Sequence, residues 1–484
     1  MANIQPIQHT LHLEVLSEKE LADIKAATLN VLEETGVHFP SERALKVFAD
    51  HGAMVDFEAA IVRMKPELVI ESMALAPREF TLSGRAAGTE LHLGDDYTYF
   101  GTDGCGVETV DFETSERRPS CKDDVAKMAH ISDYLSSISF YWPMVSAQDY
   151  GTAAPLHELD ASFNHTVKHI QSETVMGEAL ARYAVRMAEV IAGSTQKLRA
   201  KPPLSSLICT IAPLGQDREG IEAAMVFAEA GIPVGFMGMP NMGATAPAVP
   251  GGALVVANAE VVSASVLMQL VSPGAPVFHS ILVSAMNPQS AEYVVGLPEK
   301  YLCNAAVVQM AHDWGVPSLA GSFGLEAGDP ATWQIGRDSV YTALLCALAG
   351  ADFTIGLGML KASTLLVPEQ IIFDDEIYHT NRIFSAGLNI NADKLALDII
   401  KEVGPGGHFL AQKHTRTHLR ERWIPRLTNP MAVTQDGTGS DIRRRAREEV
   451  DRILLEYHPE PLDGNTQKEL DAILAVAENE LIST

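Results

Sequence analysis

Cysteine is scarce in this chain: Cys105, Cys121, Cys209, Cys303 and Cys346 are the only five in 484 residues, and no two form a CxxC pair. That argues against both a disulfide framework and a structural zinc site, leaving small buried side chains as the expectation. Cations are also few, with Lys+Arg 36 against Asp+Glu 62 and a net charge of -26. Nucleic acid is not expected as a partner, because phosphate binding needs clustered positive charge. Nowhere do about 18 apolar residues run unbroken, so no membrane insertion is expected. The opening MANIQPIQHTLHLEV has no cationic segment followed by an apolar run. The expected location is therefore the cytoplasm. Aromatics make up only 6% of the chain, so any local concentration of rings carries information.

What is present is ample apolar material, 46% hydrophobic residues with 20% charged, enough for a large core. The stretch SEKELADIKAATLNVLEETG opens with Ser17 and Glu20 in capping-box spacing and stops at Gly36, which predicts a helix. SERALKVFADHG and KPELVIESMALA predict two more, and AAIVRM, EFTLSG and ELHLG predict short strands.

From residue 97 onward short apolar or β-branched runs recur, each followed by turn residues and a segment of helical period. They begin at Tyr97, Ser137, His165, Leu204, Ile232, Ala275, Val316 and Ala351. In EAGIPVGFMG, HDWGVPSLAGSF and LAGADFTIGLG a glycine ends the helix just before the next strand. Eight strand and helix units in strict alternation predict an α/β fold, a (β/α)8 TIM-type barrel. An open doubly wound sheet is disfavoured, since no GxGxxG follows a first strand. The expected organisation is an N-terminal α/β cap over 1–95, the barrel over 96–365, and a C-terminal helical appendage over 366–484.

In such a barrel, chemistry sits where strands end and loops begin. Reading those positions gives the candidate substrate-binding residues Tyr97, Phe100, Tyr141, Glu173, Phe236, His279, Phe323 and, in WQIGRDS after the seventh strand, Gln334. A ring of aromatic faces attracts a quaternary ammonium, by about 2 kcal/mol once the cation is desolvated. The same rings could equally be barrel core. His279 is either a buried neutral imidazole or a donor to a substrate carboxylate, and Glu173 either a solvated loop residue or the complement of a cation. No catalytic residue is identified, for the strand ends hold no Ser, His and Asp pattern. His414 and His418 share a helix face, with His408 nearby. HTRTH lacks the Glu of HExxH, however, and Arg416, Arg420 and Arg422 interleave. This segment is read as a cationic interface patch, and no metal is expected.

GPGGHFLAQKHTRTHLRERWIPRL, LLVPEQIIFDDEI, the loop beginning TDGCGVETVD after Gly101, and WQIGRDS together resemble the trimethylamine methyltransferase family, from about residue 15 to residue 480. Founding members of that family carry pyrrolysine in the loop after the seventh strand and pass a methyl group from trimethylamine to the Co(I) of a corrinoid protein. Here the matching loop, SFGLEAGDPATWQIG, holds ordinary residues. The resemblance is therefore to the pyrrolysine-free branch, which implies demethylation of a quaternary amine, glycine betaine foremost. It further implies no tightly bound cofactor and corrinoid (cobalamin) carried by a cognate partner protein. The chemistry agrees: a tertiary amine would leave as an amide anion, whereas a quaternary ammonium leaves as a neutral amine. Separately, an appendage that joins the apolar stretch IIFDDEIYHTNRIF to an Arg and His-rich segment predicts a homo-oligomer. Two other readings stay open, a quaternary-amine binding protein without turnover and a zinc-dependent methyltransferase using Cys209 and His279.

Overall fold

The computed structural model describes residues 4–111, 114, 116–322, 328–428 and 441–482. Eight parallel strands close on themselves: β1 (Tyr97–Thr102), β2 (Phe140–Tyr141), β3 (His169–Ser172), β4 (Leu204–Cys209), β5 (Val234–Gly238), β6 (Val277–Ile281), β7 (Ser318–Ser322) and β8 (Phe353–Leu357). The closing pair is β8 on β1, with Phe353 opposite Tyr99 and Leu357 opposite Thr102. Each of the eight runs expected from the sequence contains one of these strands.

A helix follows every strand: α1 (Lys122–Tyr134), α2 (Ala154–His165), α3 (Glu178–Ala192), α4 (Arg218–Ala230), α5 (Pro250–Val271), α6 (Pro298–Trp314), α7 (Trp333–Ala349) and α8 (Gln370–Ser385). Gly231, Gly315 and Gly350 end α4, α6 and α7 in the left-handed conformation, φ 79°, 77° and 83°, as the three glycine stops require. Among the described residues one helix, α5, is long and apolar enough to cross a bilayer. It is a core helix instead, because the N-terminal helices Glu18–Asn30, Glu42–Asp50 and Pro66–Met73 pack against it.

Barrel strands point alternate side chains inward and outward, and here the inside is built from rings and glycines. Phe140, Phe278 and Phe353 meet edge to face inside, with centroids 4.7 and 5.6 Å apart. Gly101 and Gly235 make the room: a Cβ on either would lie 2.3 Å or less from the Phe140 or Phe278 ring. The hairpin Phe80–Leu82 with Leu91–Leu93 brings Leu82, Leu91 and Leu93 into the same apolar cluster and so closes the N-terminal end. The open end is the one where β1 to β8 finish.

Beyond α8, two further helices return to the barrel: α10 (Ile442–Glu456) packs on α1, and α11 (Gly464–Ile482) on α3. Between α8 and α10 lie the short helices Ala392–Leu395 and Leu397–Val403, followed by α9 (Lys413–Arg420). None of these three buries a residue.

Candidate active site at the barrel mouth

Three strand ends bring two carboxyl groups and two thiols together. Glu173, one residue past β3, accepts from Cys105 Sγ at 2.7 Å on one oxygen and from Cys209 Sγ at 2.8 Å on the other. Asp103, one residue past β1, accepts from the Gly104 N–H at 3.0 Å and from the Ser363 hydroxyl. Burial dominates the electrostatics. It lifts the Asp103 carboxyl to about 6, the nearby Glu173 charge adding to the rise and Ser363 and Gly104 opposing it. Burial likewise raises Glu173, against the pull of its two thiol donors. The same burial, with Glu173 beside them, pushes both thiols well above their ordinary range. Cys105 and Cys209 therefore stay protonated and neither is a ready nucleophile.

The surroundings fit a ligand site. Gln171 shares the inward face of β3 with Glu173, is fully buried, and neither atom of its amide has a partner among the described residues. Trp142 stands at the end of β2 over Gly104, where a Cβ would fall 1.9 Å from the indole nitrogen. Among the described residues nine non-glycine residues have positive φ, and four lie on the two segments that hold the pair: Cys105 (73°), Lys361 (53°), Ala362 (52°) and Ser363 (62°). Strain of this kind concentrates at functional sites. The last three form the turn between the paired strands Met359–Leu360 and Leu365–Leu366, and this turn holds Ser363 over Asp103. A cavity of about 950 Å3 lies elsewhere, lined by Gln5, Asp375, His379, Trp423 and Arg445 among others, and touches none of these residues.

Of the residues expected from the sequence, Glu173 is at the centre of this cluster. The others are placed differently. Phe100 points outward onto Tyr378 of α8, centroids 4.9 Å apart. Tyr141 also faces the helices, its hydroxyl donating to the Val125 carbonyl at 3.0 Å. Phe236 and His279 stand side by side in register on the outer face. His279 Nε2 is 2.8 Å from Asn258 Oδ1 on α5, and burial drops its pKa to about 3. It is a neutral wall residue on the opposite side of the sheet from Cys209, so the Cys209 and His279 ligand pair does not form. Tyr97 is the first residue of β1, at the closed end, paired with Gln8. Gln334 lies in the first turn of α7, half-buried. Phe323 falls outside the described residues.

The parity of each strand explains the pattern. A shift of one residue exchanges the two faces of a strand, so Tyr99, Trp142 and Met237 occupy the interior where Phe100, Tyr141 and Phe236 do not. Asp103, Gln171, Cys105 and Cys209 were all visible at or near strand ends, yet only the closed barrel brings their three strands to one point.

The profile of the trimethylamine methyltransferase (MTTB) family matches residues 2–481. The chain belongs to that family. The trimethylamine methyltransferase of Desulfitobacterium hafniense is 33% identical over 467 residues, 96% of this chain and 94% of that protein. A glycine betaine methyltransferase from the same species is 32% identical over 470 residues, 95% and 96% of the two chains. The crystal structure of the Methanosarcina barkeri monomethylamine methyltransferase overlays with a TM-score of 0.45 at 11% identity, covering 90% of this chain and 93% of that one. As a member of the trimethylamine methyltransferase family, this chain is an enzyme that moves methyl groups, and the barrel mouth is where its family chemistry has to be sought.

Proposed function

We propose that this chain removes a methyl group from a quaternary amine, with glycine betaine the leading candidate, and delivers it to the Co(I) of a corrinoid held by a separate protein. The observation that carries this reading is the pair of buried Asp103 and half-buried Glu173 beside Trp142. Burial raises both carboxyls, and a cation beside them stabilises their ionised forms, so the site favours a cationic ligand. Trp142 supplies an aromatic face for N-methyl groups. The buried amide of Gln171 has hydrogen bonds to give, and a betaine carboxylate has oxygens to receive them.

The corrinoid supplies the nucleophile, which is why the mouth needs none of its own. The chain binds the ammonium, excludes water around it and aims one N-methyl along the barrel axis. The glycine betaine methyltransferase relative and the ordinary residues of the loop after β7 both favour a quaternary over a tertiary substrate. Isothermal titration with tetramethylammonium, glycine betaine and trimethylamine tests this reading. Binding of the first two, weakened about 30-fold by Trp142→Ala, which is about 2 kcal/mol, is expected. Equal binding of all three by Glu173→Gln and the parent would overturn it.

A zinc-dependent methyltransferase is the second reading, favoured by one observation: the Cys105 and Cys209 thiols flank Glu173 on its two oxygens, although their three ligand atoms do not converge as those of a formed metal site do. Stoichiometric zinc lost on Cys105→Ser with Cys209→Ser would favour it over the first.

The protein is further proposed to work in the cytoplasm, where its five free cysteines stay reduced. It is also proposed to pair with a second copy through the arm between α8 and α10. Leu388, Ile390, Leu397, Leu410 and Ile424 are exposed there. Residues 391–424 carry Lys394, Lys401, Lys413, Arg416, Arg420 and Arg422 against Asp393, Asp398, Glu402 and Glu421, a net positive patch on an otherwise acidic chain. That patch complements the acidic surface of another copy.

A further inference from the structure

The arm's three helices bury no residue, so no apolar core holds them in place. Polar contacts do. His414 and His418, one turn apart on α9, meet edge to face with ring centroids 4.2 Å apart. Asp393, from the helix Ala392–Leu395, reaches both: Oδ2 lies 3.3 Å from His418 Nε2, and its backbone carbonyl 3.2 Å from His414 Nε2. One ligand atom from each of Asp393, His414 and His418 lies within 4.8 Å of the other two, and among the described residues no other group of His, Cys, Asp or Glu side chains does this.

We propose that Asp393, His414 and His418 bind a divalent ion of the zinc class, and that this ion clips the arm together. Donors about 2.0–2.1 Å from a tetrahedral zinc stand about 3.3 Å from one another. Asp393 Oδ2 and His418 Nε2 already have that separation. The orienting partner is present too. His418 Nδ1 faces Glu421 Oε2 at 2.8 Å, so a proton on Nδ1 leaves the Nε2 lone pair turned to the cluster. Lys394 Nζ is 3.0 Å from that Glu421 oxygen and 2.9 Å from Nδ1; an ammonium only donates, so ion binding at Nε2 selects the tautomer in which Nδ1 donates to Glu421 and Lys394 bonds Glu421 alone. Two imidazoles and one carboxylate suit zinc, cobalt or nickel, whereas calcium and magnesium need more oxygens. A segment without a core is where metal ligation replaces apolar burial. Sequence spacing set the histidine pair aside because HTRTH has no Glu; the third ligand comes from a separate helix.

The test is titration of the full-length, chelator-stripped protein with Co(II), read by visible absorption, alongside trypsin cleavage within the arm. One Co(II) per chain is expected, with weak ligand-field bands and no intense thiolate charge-transfer band, and cleavage slowed several-fold. Asp393→Ala and His414→Ala with His418→Ala should each lose that ion and its protection. None of the three side chains is part of the core, so these variants fold, as circular dichroism would verify. Variants that bind and are protected like the parent would overturn the proposal. So would a thiolate band that disappears with Cys105→Ser and Cys209→Ser, which would place the ion at the barrel mouth and leave the arm without one.

Discussion

The inner and outer faces of the barrel wall come from the same strands, one residue apart, and do opposite work. Outward, Phe100, Tyr141, Phe236 and His279 are buried against helices, with the Tyr141 hydroxyl on the Val125 carbonyl and His279 Nε2 on Asn258, while His279 Nδ1 has no partner among the described residues. Inward, at the mouth, Asp103 and Gln171 are just as buried and Glu173 is half-buried; Asp103 is held by Gly104 and Ser363, Glu173 by the two thiols, and the Gln171 amide by no partner among the described residues. The outer face spends its burial on stability. The inner face holds raised carboxyls, an unpaired amide and a strained turn, all of which cost stability and are expected where a ligand makes up the difference.

The largest expected effect breaks the outer face. Phe236→Ala should cost about 3–5 kcal/mol of unfolding free energy, measured in denaturant, while the surviving folded protein keeps its substrate KM. Next in size is the inner face: Glu173→Gln should lose about 2–5 kcal/mol of kcat/KM, with a melting temperature close to that of the parent. If Glu173→Gln instead unfolded the protein and left kcat/KM unchanged, the distinction between faces would fail.

A finer contrast sets two rings against each other. Trp142→Ala should weaken quaternary-amine binding by about 2 kcal/mol, whereas Tyr97→Ala, at the closed end, should leave it unchanged. Equal losses in titration would show that the cation does not sit at the mouth.

The smallest effect is in pH. Asp103 has a folded pKa of about 6 against an ordinary value of 3.8, so the folded protein holds an extra proton between those values. Its contribution to stability is therefore fully present below the ordinary value and lost as pH rises through about 6. A bound cation prefers the ionised carboxylate, which reverses the sign for binding: affinity for tetramethylammonium should fall about tenfold from pH 7.5 to pH 5. Asp103→Asn should flatten that profile, and an unflattened profile would move the titration to another group.

The sequence made the barrel legible because apolar runs, helix periods and glycine stops such as Gly231 and Gly350 are local signals. Which face a side chain takes was not legible, since a run such as FYW or GFM reads the same in either parity. Tyr141 and Phe236 were chosen where Trp142 and Met237 point inside. Glu173 was found because its strand end was found. Its partners Cys105 and Cys209, lying on other strands, needed the closed sheet, and Asp393 needed the folded arm to reach His414 and His418.

The central claim is that the mouth accepts a preformed cation, and methyl transfer to free Co(I) cobalamin measures it most directly. Glycine betaine or another quaternary amine should generate methyl-Co(III) in the visible spectrum, at a rate that Glu173→Gln suppresses, and trimethylamine should generate none. Methylation from trimethylamine with no response to any quaternary amine would contradict the account.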